Sequence, residues 1–284
     1  MRSLLFVPAD SPRKFARACA SAADALIIDF EDSVSPERKV AARAEAVAMV
    51  RGTQTQQPIW VRINPLESEW AIDDLNALIA LRPFGVVLPK SRSIGDVIRL
   101  SHYLEAFEVV AGIGRGTTQI LPIVSEAAAA TLQIGSYRDG HARLWGLTWG
   151  AEDLAADLGV LSNRVGGEYT EVFQHARTQC LLAAAAAGVR AIDTVCVGID
   201  DDAAVLRDSI AARRDGFSGK MAVHPVQLGA INGAFTPTAE QLDRARRILA
   251  AFAARPETGA FRLDGEMIDR PHWLAARRLL KLPS

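Results

Sequence analysis

The feature that most constrains the fold is a series of short apolar runs, rich in Val, Ile and Leu, separated by amphipathic, Ala-rich segments. Such alternation predicts βαβ units around a parallel sheet, because a strand covered by helices is apolar on both faces. Eight repeats of strand then helix fit a closed (β/α)8 TIM barrel better than an open sheet. The eight runs lie at 3–7, 25–30, 59–63, 85–88, 120–124, 143–147, 191–195 and 218–223.

Helices are predicted between these strands, and several of them begin at Ser, Asp or Pro, as capped helices do. After the eighth unit the pattern changes to a helix at 238–254, an alternating, hairpin-like segment at 261–269 and a last helix at 272–281. A barrel that already has eight strands has no place for these elements. We therefore predict a barrel domain over 1–235 and a C-terminal helical and hairpin arm over 236–284. The arm either caps its own barrel or contacts a neighbouring subunit, and we favour the neighbour. The eight barrel helices are predicted at 11–20, 36–50, 70–81, 94–106, 126–135, 168–187, 202–214 and 225–233.

Composition excludes several classes of partner. Lys and Arg number 32 against 33 Asp and Glu, so the net charge of −1 supplies no global field for nucleic acid or an anionic membrane. Three widely spaced cysteines predict neither a disulfide framework nor a zinc cluster, and they suit a reducing, cytoplasmic setting. The apolar runs are all far shorter than the roughly 20 residues that a membrane span needs.

Charged side chains follow most of the predicted strands. The active site of an α/β barrel lies at the carboxyl ends of its strands, so these residues should share one rim. The residues at or just after strand ends are Asp29, Glu31, Asp32, Arg62, Lys90, Glu126, Asp153 and His224.

Glu126 and Asp153 come from consecutive units, which places them within reach of one ion. Two carboxylates, with the other positions left to water and substrate, are typical of Mg²⁺ sites, although strand-end carboxylates also cap helices. Arg62 follows Trp60 and Val61 in a buried strand, so it needs an anionic partner. That partner is either a substrate anion or Glu31 or Asp32 in a structural ion pair.

Eight segments of the sequence form a combined pattern. They are RSLLFVP (2–8), DALIIDFEDSV (24–34), VRIN (61–64), VLPK (87–90), IVSE (123–126), GAEDLAADLG (150–159), GKMAVHP (219–225) and DGEMIDRP (264–271). They occur in order over nearly the whole chain, so their combination is specific although each is weak alone. Taken together, they resemble the citrate lyase β-subunit-like (CitE-like) family of the HpcH/HpaI aldolase and citrate lyase superfamily.

The resemblance implies a TIM-barrel enzyme that binds Mg²⁺ and an acyl-CoA or acyl-carrier thioester. The implied reaction is retro-Claisen cleavage of a citryl, malyl or citramalyl thioester to a ketoacid and a shorter acyl-CoA. Malyl-CoA thioesterases share the pattern, and a non-catalytic subunit that binds CoA esters is a further alternative.

The resemblance also implies roles for particular residues. Glu126 and Asp153 match the metal ligands, and Glu126 also faces the substrate. Arg62 matches a substrate-binding, catalytic arginine. Asp269 matches a catalytic aspartate that the arm carries into the next subunit of a homotrimer. Glu31 and Asp32 are expected to orient Arg62 and metal-bound water.

Overall fold

The computed structural model describes residues 1–280, and the chain divides into two compact units, Met1–Phe235 and Thr236–Ser284. The first unit is built on parallel strands with helices around them, as the apolar runs predict. No helix among residues 1–280 combines the length and the apolar character that crossing a membrane requires.

The sheet of the first unit contains eight parallel strands, each overlapping one predicted run. They are β1 (Ser3–Pro8), β2 (Ala25–Asp29), β3 (Ile59–Arg62), β4 (Gly85–Leu88), β5 (Gln119–Pro122) and β6 (Gly146–Thr148), and, after a small antiparallel pair β7 (Arg164–Val165) and β8 (Glu168–Tyr169), β9 (Arg190–Asp193) and β10 (Gly219–Ala222). Their order is β5-β4-β3-β2-β1-β10-β9-β6. The predicted (β/α)8 barrel is therefore confirmed.

The barrel closes between β5 and β6. Parallel bridges pair Ile120 with Leu144 and Ile123 with Thr148, in place of a continuous ladder. Near the amino-terminal end of this seam lies an ion pair in which Arg143 Nη1 and Nη2 each donate to a Glu108 carboxylate oxygen at 2.7 Å. The predicted sixth strand started at 143, whereas β6 starts at Gly146, because Arg143 turns towards Glu108.

Helices lie between and after the strands. The predicted helix at 126–135 is wrong in part, since it divides into α5 and a 3-10 turn at Ile134–Asp139. The short helix α6 was not predicted, and the helix predicted from 168 starts at Glu171 because β8 occupies its first residues. The helices of this unit are α1 (Pro12–Cys19), α2 (Lys39–Gly52), α3 (Ala71–Ile79), α4 (Ile94–Val110), α5 (Ala128–Thr131), α6 (Ala151–Asp157), α7 (Glu171–Ala186), α8 (Asp202–Asp215) and α9 (Leu228–Phe235).

The barrel interior is packed with apolar side chains, so it is a core and not a pore. Trp60 is fully buried there, and its ring lies 4.9 Å from the ring of Trp145. Gly85 on the next strand makes room for it, because a Cβ at this position would lie 2.4 Å from Trp60 Cζ3. The residues that could act on a substrate must therefore lie at the strand ends and not inside the barrel.

The second unit contains helix α10 (Ala239–Ala253), a hairpin of β11 (Ala260–Leu263) and β12 (Glu266–Asp269), and helix α11 (Arg270–Leu279). Ile268 is fully buried in its small core with Ile248 and Ala276. The predicted order of helix, hairpin and helix is therefore confirmed, although the predicted last helix extends to 281, outside the described residues.

Candidate active site

Arg62 is the last residue of β3 and lies beside Asp29, the last residue of β2, in the register of the sheet. Arg62 Nε and Nη2 donate to the two oxygens of Asp29, both at 2.7 Å. The guanidinium also lies over the ring of Phe6, 4.7 Å from its centroid. Asp29 therefore fixes one edge of the guanidinium in a bidentate pair.

The third nitrogen of this guanidinium points towards other acidic groups. Arg62 Nη1 lies 3.0 Å from Glu31 Oε2 and 3.8 Å from Asp32 Oδ2. Glu31 is buried, whereas the side chain of Asp32 is 57% exposed. The sequence offered two alternatives for the anionic partner of Arg62, a substrate anion or an ion pair with Glu31 or Asp32. Both left out the strongest partner, Asp29.

Lys90 joins these carboxylates to Asp153. Its Nζ lies 2.7 Å from Glu31 Oε1, 3.6 Å from Asp153 Oδ1 and 3.9 Å from Asp32 Oδ1. Lys90 adopts a left-handed conformation, with φ at 51°, and its backbone N–H donates to Glu126. A non-glycine residue in this conformation stores strain, which is characteristic of functional sites.

Glu126 follows β5 and is only 5% exposed. Its position depends on Gly150, the residue before α6, because a Cβ at 150 would lie 2.7 Å from Glu126 Cγ. Asp153, in the first turn of α6, has a side chain that is 32% exposed. The segments after β5 and β6 thus bring a buried and a half-buried carboxylate to the same rim.

Burial and mutual repulsion shift the titration of this cluster. Burial, followed by the charges of Asp153 and Glu31, raises the pKa of Glu126 well above its usual value. Burial also raises the pKa of Glu31 to about 7, against the opposing effect of Arg62 and Lys90. Carboxylates that lie close together and are shielded from water favour a bound cation.

A cavity of about 840 Å³ opens at this rim. Arg62, Asp32 and Asp153 line one part of it, and Arg13 and Arg17 of α1 line another. Both of these helix residues are exposed. The cavity is thus acidic near Asp153 and basic along α1.

Asp269 belongs to the second unit, where it ends β12 and precedes α11. Its Oδ1 lies 2.6 Å from Nδ1 of His272. Within the first unit, the structure brings together the other predicted residues: Arg62, Glu126, Asp153, Glu31 and Asp32.

The sequence prediction placed Asp29 and Lys90 at the rim but assigned them no role, and it assigned none to the basic residues of α1. Asp29 could have been found, since neighbouring parallel strands that both end in charged residues place those residues side by side. Nothing in the sequence marks the left-handed backbone of Lys90 or the cavity beside Arg13 and Arg17.

Comparison with known proteins decides the family. The family model for HpcH/HpaI aldolase/citrate lyase matches residues 2–225. The chain belongs to the HpcH/HpaI aldolase/citrate lyase family. The resemblance noted in the sequence is confirmed, and so is the expectation of an enzyme of a lyase family.

Several members of the HpcH/HpaI aldolase/citrate lyase family are similar over their whole length. The citrate lyase subunit beta-like protein of Mycobacterium tuberculosis H37Rv is 37% identical over 279 residues, which is 98% of this chain and 93% of that protein. The (3S)-malyl-CoA thioesterase of Cereibacter sphaeroides is 30% identical over 284 residues, which is 98% of this chain and 93% of that protein.

Solved structures of the HpcH/HpaI aldolase/citrate lyase family are also similar. The crystal structure of CitE from Mycobacterium tuberculosis in complex with magnesium, acetoacetate and coenzyme A matches with a TM-score of 0.81 and 34% identity. The match covers 99% of this chain and 97% of the other.

Proposed function

We propose that this enzyme is a Mg²⁺-dependent carbon–carbon lyase that cleaves a 3-hydroxyacyl-CoA to a ketoacid and a shorter acyl-CoA. Citryl-CoA, malyl-CoA and citramalyl-CoA are the candidate substrates. The observation that carries the proposal is the cavity of about 840 Å³, which joins the Arg62 and Asp153 rim to the basic side of α1.

The residues at the rim fit a magnesium ion. Glu126 is buried beside two other carboxylates, and burial together with their repulsion raises its pKa. Glu126 and Asp153 would hold Mg²⁺ together with water and substrate, as two-carboxylate sites do. When bound, the ion supplies Lewis-acid polarisation of substrate oxygens.

Arg62 would stabilise the negative charge that develops on the substrate. Cleavage converts the thioester portion into an enolate, and a guanidinium held beforehand in position lowers the energy of that charge. The bidentate pair with Asp29 prevents the Arg62 side chain from reorganising during the reaction. Glu31 holds both Arg62 and Lys90 and so keeps two cations at the rim.

Arg13, Lys14 and Arg17 would bind the phosphate groups of the CoA portion. All three line the same cavity as Arg62, on the exposed side of α1. A run of cations on one side of a mixed-charge cavity fits a substrate whose phosphate groups lie far from its reacting carbons.

Asp269 would be the group that moves the proton, delivered by the arm of another copy of the chain in a homotrimer. This step follows from the family resemblance of the DGEMIDRP segment. Mixing two inactive variants, Asp269→Asn and Glu126→Gln, tests it after dissociation and reassembly. Random trimers should regain activity at about one quarter of their sites, because each site draws on two chains. No regain in reassembled trimers would exclude delivery between copies.

The main experiment supplies citryl-CoA, malyl-CoA and citramalyl-CoA with Mg²⁺ and measures ketoacid and acyl-CoA products. Glu126→Gln should lower the rate at least about 100-fold. The exposed Glu69→Gln serves as the matched control and should keep full activity. Absence of turnover with all three esters, or full activity of Glu126→Gln, would refute the proposal.

Thioester hydrolysis is the second candidate, because a relative that covers the whole chain is a malyl-CoA thioesterase. The same assay separates the two reactions. A lyase produces a ketoacid together with a shorter acyl-CoA, whereas a thioesterase produces free CoA and no ketoacid.

A further inference from the structure

A carboxylate and an imidazole meet at the start of α11. Asp269 is the residue before this helix, and His272 is its third residue. Nδ1 of His272 lies 2.6 Å from Asp269 Oδ1 and 3.3 Å from the backbone nitrogen of Asp269. The side chain of Asp269 is 33% exposed and that of His272 is 42% exposed, so both can exchange protons with water.

Nδ1 of His272 cannot serve both contacts at once, because an imidazole nitrogen carries either a proton or a lone pair. With a lone pair, Nδ1 accepts the backbone N–H of Asp269, and the 2.6 Å contact then requires a proton on the carboxyl. With a proton, Nδ1 donates to the ionised carboxylate. In both states one proton lies between Asp269 and His272, and the short distance favours donation to the carboxylate.

We infer that His272 is a positioning residue for Asp269, and that the pair acts in place of a lone carboxylate in the proposed proton transfer. The inference rests on the proposed role of Asp269. Before the reaction, donation from Nδ1 to Oδ1 stops the carboxylate from rotating. Oδ2 would then be the oxygen that accepts the proton of the substrate.

The proposed cleavage neither takes up nor releases a proton overall. The hydroxyl O–H bond of the substrate breaks and its proton passes to Asp269 Oδ2, while the carbon–carbon bonding electrons form the enolate. The same proton then returns to the enolate carbon as the acyl-CoA forms. His272 keeps its own proton at Nδ1 throughout, so the step needs no other reactant.

His272→Gln tests the inference without removing the helix cap, because glutamine at this third position is an ordinary capping-box residue. The assay uses the full chain, Mg²⁺ and the ester that the lyase assay identifies. We expect kcat to fall about 10- to 100-fold, as for loss of an orienting partner. KM should change less than about twofold, so that the loss appears in kcat and not in substrate binding. The exposed His175→Gln is the matched control.

A second measurement does not depend on activity. The chain has five histidines, and the NMR signal of His272 is the one that His272→Gln removes. Its ¹⁵N shifts should show the proton on Nδ1 in the wild type and less often there in Asp269→Asn, because Nδ1 then loses the carboxylate as its acceptor.

The outcomes are separable. An unchanged Nδ1 signal of His272 in Asp269→Asn, or wild-type kcat in His272→Gln, overturns the pairing. Full activity of Asp269→Asn instead overturns the proposed role of Asp269, and with it any catalytic role of the pair.

Discussion

Replacing Gly150 by alanine should displace Glu126 and weaken magnesium binding. The backbone at Gly150 has φ −118° and ψ 114°, which any residue can adopt, so the substitution introduces no backbone strain. The added Cβ would lie 2.7 Å from Glu126 Cγ and 3.4 Å from Ile123 Cγ2. Carbon atoms pack at about 3.5 to 4.0 Å, so the buried glutamate must move by about 1 Å.

The expected magnitude follows from this displacement. Disturbing the groups that orient a metal ligand lowers metal affinity about 10- to 100-fold, which is about 1.4 to 2.8 kcal/mol. At a Mg²⁺ concentration about 100 times the wild-type Kd, binding raises the free energy of unfolding by about 2.7 kcal/mol. If the Kd is 100-fold larger, the same Mg²⁺ concentration raises the free energy of unfolding by only about 0.4 kcal/mol.

Denaturation with and without Mg²⁺ measures this difference, and the Mg²⁺ dependence of the lyase rate should shift in parallel. Gly229→Ala is the matched control, because a Cβ on this exposed glycine of α9 meets nothing within 4 Å. If Gly150→Ala responded to Mg²⁺ as the wild type does, the argument that Gly150 positions Glu126 as a metal ligand would be wrong.

Three further perturbations test other parts of the structure. Arg62→Lys should lower kcat at least about 100-fold, since lysine cannot form the bidentate pair with Asp29; a rate within tenfold of wild type contradicts this. Arg17→Gln should raise KM for the CoA ester and weaken its salt dependence while Mg²⁺ binding stays constant, as titrations at two salt concentrations would show. Glu108→Gln should cost about 3 to 5 kcal/mol of unfolding free energy at pH 7 by leaving Arg143 buried and unpaired. Hydrogen bonds from Arg143 hold the pKa of Glu108 at about 2 against the effect of burial, so this stabilisation is present above pH 4.5 and is lost as pH falls towards 2. Unfolding measured from pH 7 to 2.5 should therefore be less pH-dependent in Glu108→Gln.

The fold could be predicted from the sequence because the eight apolar runs are separate and regular. Short elements were missed where the local pattern is weak. Helix α6 has only seven residues, and strands β7 and β8 have two each. Elements this short do not show a measurable hydrophobic periodicity.

The site could be predicted less completely, because partner choice depends on register. Position after a strand was enough to predict Glu126, Asp153 and Arg62 at one rim. The choice of Asp29 as the main partner of Arg62 follows from the alignment of β2 with β3. The charged ends of both strands are consistent with that alignment, but they do not fix it. The contacts of Lys90 depend on a left-handed backbone that no local pattern indicates.

The incomplete ladder between β5 and β6 has a consequence for how the barrel opens. The Glu108–Arg143 pair links the two sides of this seam at one end, and the other end leads to Glu126 and Asp153, which follow β5 and β6. A cation shared by these two carboxylates would link the two sides at the second end. The N–H of Val124 donates to the Thr148 carbonyl across this part of the seam, at 2.9 Å. Removing Mg²⁺ should therefore speed amide hydrogen exchange first at Val124, while the amides of β1 and β2 remain protected.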